Sequence, residues 1–211
     1  KSYLHSVHDP CKVRACVFEY GSKRVALVGI DALALRRDFV LEARKQIKKN
    51  CGIEPEAVLI SASHSHSGGP VFGVFPGEYD HASSEVKELA YRHSPGIDPT
   101  YYRRVLDATV KAVCRASSRL FSALCSAGAG IERTVSFNRR FFMKNGRTFT
   151  HPGQGNPDIV KPAGPIDPEV GVLGVWSKEG GSSKEKLEGC IVNFACHATT
   201  NPGGFSANYI Y

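Results

Sequence analysis

Apolar positions recur along the chain in two rhythms. One is the short, β-branched run of a buried strand; the other is the three-to-four-residue period of a helix with one buried face. Residues 13–20 and 24–33 are two apolar runs joined by Gly21-Ser22, which predicts a hairpin whose second strand is deeply buried. Asp31 interrupts the second run near its end, as the cap of the following turn or as a paired or cation-binding carboxylate. Asp38 is placed to cap a helix running to about Cys51, with Val40, Ala43, Ile47 and Cys51 on one face and Gly52 as its stop. A short buried strand follows at 57–60. Strand, helix, strand is the order of a parallel crossover unit. Residues 71–97 scatter Phe72, Phe75 and Tyr79 among glycine and proline, with a short helix opening at Ser83-Ser84-Glu85. Asp98-Pro99 starts a second strong helix, continued by Tyr102, Val105, Thr109, Val113, Ser117 and Leu120. Residues 124–132 predict a strand, 135–168 an irregular stretch rich in turn formers, and 170–178 and 187–195 two more strands around a polar turn at 179–186. The fold expected is α/β: a mixed β-sheet with helices packed on it and long irregular site loops.

Composition narrows this picture without redirecting it. The 211 residues are 42% apolar and 22% charged, an ordinary globular mix, and no run of 18 apolar residues spans a membrane. The expectation is one domain, 1–211, that is part of a longer protein with both ends cut. No initiator Met opens the chain, and 207–211 reads as a strand or loop stopped mid-course. The net charge of +7 raises nucleic acid or anionic membranes as partners. The cations are scattered, however, with no aromatic-interleaved platform, which argues against nucleic acid. Seven cysteines make no Cys-x-x-Cys pair and, being odd in number, no fully paired disulfide set.

Chemistry concentrates after the strand at 57–60, in Ser61-Ala62-Ser63-His64-Ser65-His66-Ser67-Gly68-Gly69-Pro70. In an extended segment, residues i and i+2 point to one side, so His64 and His66 would face one spot at the carboxyl end of a strand. Open α/β sheets bind ligands there, and neutral imidazole is a common metal ligand. From this stretch alone a metal-binding pair and a polar loop with two surface histidines both remain open. His197 also lies just past a buried strand, and two strands of one sheet edge would bring it and His64 to a shared ion. His5, His8, His81, His93 and His151 have no comparable setting and read as surface residues.

Several segments together resemble the amino-terminal catalytic domain of the neutral/alkaline non-lysosomal ceramidase family. Ser63-His64-Ser65-His66-Ser67-Gly68 is similar to that family's Thr-His-Thr-His-Ser-Gly motif. Phe194-Ala195-Cys196-His197-Ala198-Thr199 resembles its Phe-Ala-x-His-x-Thr motif. Asn138-Arg139 matches the start of its Asn-Arg-Ser triplet, Asn156-Pro157 a later Asn-Pro, and Asp167 an aspartate before an apolar strand. Order and spacing agree over nearly the whole chain. The chain departs from the family in Ser67-Gly68-Gly69-Pro70 and in Arg140, which stands where the family has serine.

The resemblance implies a zinc-dependent amidohydrolase cleaving the amide of an N-acyl sphingoid base or related N-acyl lipid. It implies His64 and His197 as ligands of Zn2+, and His66 beside the site in a catalytic role. Arg139 would be a cationic catalytic donor, and Asn138 and Gly68 would bind substrate. Further ligands, a Glu and a Tyr, and a serine nucleophile would lie downstream. It also implies a lipid-like partner met with peripheral membrane contact, and a secreted or extracytoplasmic location; oligomeric state is not legible. Two alternatives stand beside it: another metal-dependent hydrolase of an amide or phosphoester, and a non-catalytic domain that keeps the fold.

Overall fold

Strand β1 (Val13–Tyr20) and strand β2 (Lys23–Ile30) form an antiparallel hairpin in which Tyr20 faces Lys23. Gly21 takes φ +59 at the first position of the two-residue loop, a conformation glycine reaches without steric cost. The computed structural model describes residues 9–178 and 185–197. His5, His8, residues 179–184 of the polar turn expected at 179–186, and the run at 207–211 lie outside them. The chain divides into two compact units, the second being Phe121–His197.

In the first unit, helix α1 (Arg37–Cys51) connects β2 to strand β3 (Val58–Ala62). β3 pairs with β2 in parallel, Ala26 facing Val58 and Ile30 facing Ala62. A parallel pair needs such a crossover, and the strand–helix–strand order announced it. The sheet order is β1-β2-β3, so this sheet is mixed, as expected. Helix α2 (Ser84–Arg92) and helix α3 (Pro99–Ser117) follow. Asp98 caps α3 by accepting from the backbone N–H groups of Thr100 and Tyr101, with Pro99 opening the helix.

The core of this unit joins Ala26, Val28 and Ile30 of β2 to Phe39, Ala43 and Ile47 of α1 and Leu106, Val110 and Val113 of α3. The alternation on β2 and the four-residue steps on α1 are the two periods that bury one face of each element. Thr109 is fully buried too, and its hydroxyl donates to the Val105 carbonyl at 2.8 Å, which removes the cost of an unpaired hydroxyl. Among the described residues, no helix is long and apolar enough to cross a membrane.

The second unit holds strands β4 (Ala123–Ile131), β5 (Arg140–Met143), β6 (Thr148–Thr150), β7 (Ile159–Pro162), β8 (Glu169–Lys178) and β9 (Glu185–Phe194). They make two antiparallel sheets, β4-β8-β9 and β6-β5-β7.

Four expectations change. Residues 135–168 are not irregular throughout, because β5, β6 and β7 pair there. The hairpin between β5 and β6 turns at Asn145-Gly146, with Gly146 at φ +77 and its N–H bonded to the Met143 carbonyl, a short-range signal that the abundance of turn formers obscured. α1 starts one residue before Asp38. Arg36 is its N-cap and makes no side-chain capping bond, while the Asp38 carboxylate accepts from the Phe39 N–H at 2.8 Å. α1 buries Phe39 and leaves Val40 only half-buried, and α3 buries Leu106 and Val110, which the chosen period skipped. Finally, the strands preceding His64 and His197 do not share a sheet: β3 pairs with β2, and β9 pairs with β8.

Candidate functional site

The loop after β3 carries on along the end of β2. The Ser63 N–H donates to the Ile30 carbonyl and the Ser65 N–H to the Ala32 carbonyl, at 2.9 and 3.0 Å. His64 is thereby fixed on both sides, and it takes φ +61. A non-glycine residue in the left-handed region carries strain that surrounding bonds must hold in place, and such residues concentrate at functional sites. The i, i+2 spacing predicts His64 and His66 side by side on an extended strand. They do share one spot, but through this turn: β3 ends at Ala62, and the imidazoles meet edge to face, 88° apart with centroids 4.7 Å apart. Ser65 between them is buried, and its hydroxyl accepts from the Ser67 N–H.

The hydrogen bonds set the proton positions. The His64 Nδ1 lies 2.9 Å from the Leu33 carbonyl oxygen, which can only accept, so Nδ1 carries the proton and Nε2 keeps its lone pair. The His66 Nε2 lies 3.1 Å from that lone pair and donates to it. A ring nitrogen anchored to a backbone carbonyl, with the other nitrogen left basic, is the usual preparation of a metal-ligating histidine. Each ring offers one ligand atom, and both side chains are exposed. The chemistry of this donor set fits a metal ion.

Behind the pair, Gly68 and Gly69 lie against the scaffold. A Cβ on Gly68 would come 3.3 Å from the Asp31 carbonyl oxygen, and one on Gly69 would come 2.3 Å from the Tyr101 ring. The Asp98 N–H that precedes α3 donates to the Pro70 carbonyl. The histidine loop thus rests on the first turn of α3. Tyr101 belongs to this support and was missed in the sequence, although the Asp98-Pro99 start places it in that turn. Burial pushes its hydroxyl above the ordinary range, with the Cys11 thiol a secondary cause. Of the readings open for Asp31, the paired carboxylate holds and the turn cap does not: it accepts from the Lys12 N–H at 2.9 Å and pairs with the Arg14 guanidinium, which ties the start of β1 to the end of β2.

The remaining candidates sit in the second unit. His197 lies three residues beyond Phe194, the end of β9, and is half-buried. Asn138 is half-buried just before β5; its amide donates to the Pro165 carbonyl at 3.1 Å and accepts from the Arg140 N–H at 3.0 Å. Arg139 is exposed, and its carbonyl accepts from the His151 N–H. Outside this set, His81 stacks on Tyr79 and His93 approaches Glu88 at 3.5 Å, both settings of surface histidines.

Compared with known proteins, the chain is similar in structure to a neutral ceramidase from Pseudomonas aeruginosa, with a TM-score of 0.53 and 24% sequence identity. The match covers 85% of this chain and 25% of that one, so the chain spans about a quarter of that protein's length. No family model matches the chain, and no curated protein matches its sequence. The likeness establishes a ceramidase-like fold.

Proposed function

We propose that the chain carries part of the catalytic domain of a zinc-dependent amide hydrolase acting on N-acyl sphingoid bases or related N-acyl lipids. The observation that carries this reading is the His64–His66 pair, with its proton positions set by the Leu33 carbonyl at the carboxyl end of β3. The motif resemblance and the ceramidase-like fold support the choice of reaction.

In this reading His64, through Nε2, and His197 hold the ion. Zinc, when bound, supplies Lewis acidity and lowers the pKa of a water to about 7. His66 stands beside the ion and keeps a proton on Nε2. That N–H donates to His64 in the structure and turns to the oxyanion that develops when the amide carbonyl is attacked. Arg139 provides a cation for the same oxygen or for a substrate oxygen. Gly68, whose backbone packs against the Asp31 carbonyl, meets substrate through its backbone, and Asn138 holds the loop that presents Arg139. The substrate class brings peripheral membrane contact and an extracytoplasmic setting with it, and the net charge of +7 favours anionic lipid surfaces.

The test is turnover of long-chain N-acyl sphingoid bases by the intact protein, against water-soluble amides and phosphoesters. Release of fatty acid that stops on chelation and returns with zinc supports the reading. Turnover only of soluble amides or phosphoesters replaces the substrate class, and no turnover of any of them supports a non-catalytic domain.

A further inference from the structure

The packing of α1 against α3 contains a feature that the site does not use. Phe39 and Tyr102, each in the first turn of its helix, meet edge to face with ring centroids 5.3 Å apart. Twelve residues further along both helices, Cys51 and Cys114 meet with their sulfurs 2.8 Å apart. At about 1.5 Å of rise per residue, both helices have advanced about 18 Å between the two contacts, so they run side by side in the same direction. The cysteines close the far end of this pair. Both are half-buried at the edge of the core, within reach of a small solute. They are placed differently from Cys125 and Cys190, which stand on β4 and β9 with β8 between them.

We propose that Cys51 and Cys114 are a redox modification site, oxidised by a low-molecular-weight disulfide to a bond that ties the end of α1 to α3. The chemistry balances by thiol–disulfide exchange. One protein thiolate attacks a sulfur of RSSR and displaces RS⁻; the second attacks the mixed disulfide and displaces the other RS⁻. Two protein thiols and RSSR become one protein disulfide and two RSH. The sulfurs need to close from 2.8 Å to about 2.05 Å, a shift that side-chain rotation supplies at a site where the helices already touch. The Cys51 thiol donates to the Ile47 carbonyl at 3.2 Å, which holds it at the contact. Burial, and then the Cys114 thiol, push Cys51 up to about 12. A sulfur of such basicity is a poor leaving group, so the bond exchanges slowly once formed and acts as a lasting clamp. The loop it closes is long, roughly 60 residues, the case in which a cross-link restricts the unfolded chain most.

The experiment equilibrates the intact protein with graded mixtures of reduced and oxidised glutathione, quenches with acid, alkylates free thiols and maps peptides by mass spectrometry. The expected result is a linked peptide pair carrying Cys51 and Cys114 whose share rises with the oxidised fraction. The oxidised protein should also melt about 10 °C above the reduced one, a difference absent in Cys51→Ser. Alkylation of both residues across the whole range overturns the proposal, as does a linkage of either to another cysteine. The trapping is read on the unmodified sequence, so it decides even if the serine variant does not fold.

Discussion

The Nε2 atoms of His64 and His66 face one another at 3.1 Å, and the strained turn at His64 brings them there. Two exposed imidazoles so close gain little for stability, since one must desolvate a lone pair that water would otherwise satisfy. The arrangement makes sense as a prepared donor pair, supported by the backbone of β2, the Leu33 carbonyl and the first turn of α3.

That support gives a first prediction. Gly69→Ala forces a Cβ into the Tyr101 ring, so either the ring or the histidine loop must move. The variant should lose about 1–3 kcal/mol of unfolding free energy, measured by chemical denaturation. Adding Tyr101→Ala, which vacates the space, should make the double variant less destabilised than the two single changes predict together. Additive losses would place the strain elsewhere.

The α3 cap gives a second. Asp98 satisfies two N–H groups at the start of the helix on which the loop rests. Asp98→Ala should lower stability by about 1 kcal/mol, and Asp98→Asn, which keeps a side-chain acceptor, by less. Equal losses would mean that charge, and not the capping bond, is what matters.

A third prediction concerns pH and the excursion at 71–97. The Arg36 guanidinium bonds both carboxylate oxygens of Glu78 and the Gly73 carbonyl, and it lies over the Phe75 ring, so one side chain pins the excursion to the start of α1. The Arg36 hydrogen bonds, followed by the Phe75 N–H, hold the Glu78 carboxyl below its ordinary 4.5. A carboxylate whose folded pKa is lowered stabilises the fold fully above its unfolded pKa and loses that contribution as pH falls through the folded one. Hydrogen exchange in 71–97, normalised to the intrinsic rate at each pH, should therefore be equally slow at pH 6 and 7 in the unaltered protein and quicken only below the ordinary carboxylate range. In Glu78→Gln it should be faster at neutral pH and lack the acid step. An acid step that survives in Glu78→Gln would assign it to another group.

Much of this frame was legible in the sequence, for local reasons. The Gly21-Ser22 turn, the Asp98-Pro99 start and the Gly52 stop are each set by residues next to the feature they make. The β2–α1–β3 crossover follows from the order of elements, and the histidine pair stood out because it follows an apolar run that reads as a strand, although of β3 only Val58 is buried. What escaped was either short or long-range. β5, β6 and β7 have four residues or fewer and are embedded among turn formers, so no period emerges over their length. The division into separate sheets depends on which strands pair, as between Gly171 and Asn193, and that is not written in either strand. Arg36 reaches Glu78 across 42 positions, and the turn at His64 depends on bonds to Ile30 and Ala32. Neither leaves a mark in the neighbouring sequence.

The most direct test of the account is zinc content per molecule of intact protein, by elemental analysis, in His64→Ala, His66→Ala and Arg139→Ala beside the unaltered protein. Turnover of an N-acyl sphingoid base is read in parallel. The account predicts that His64→Ala loses both zinc and activity. His66→Ala should keep most of its zinc and turn over about 10²-fold more slowly or worse, as for a lost proton-transfer or oxyanion contact. Arg139→Ala should keep its zinc, since a guanidinium does not ligate cations. Zinc lost equally from the His64 and His66 variants would make both residues ligands, and zinc and activity retained in His64→Ala would contradict a catalytic metal at this pair.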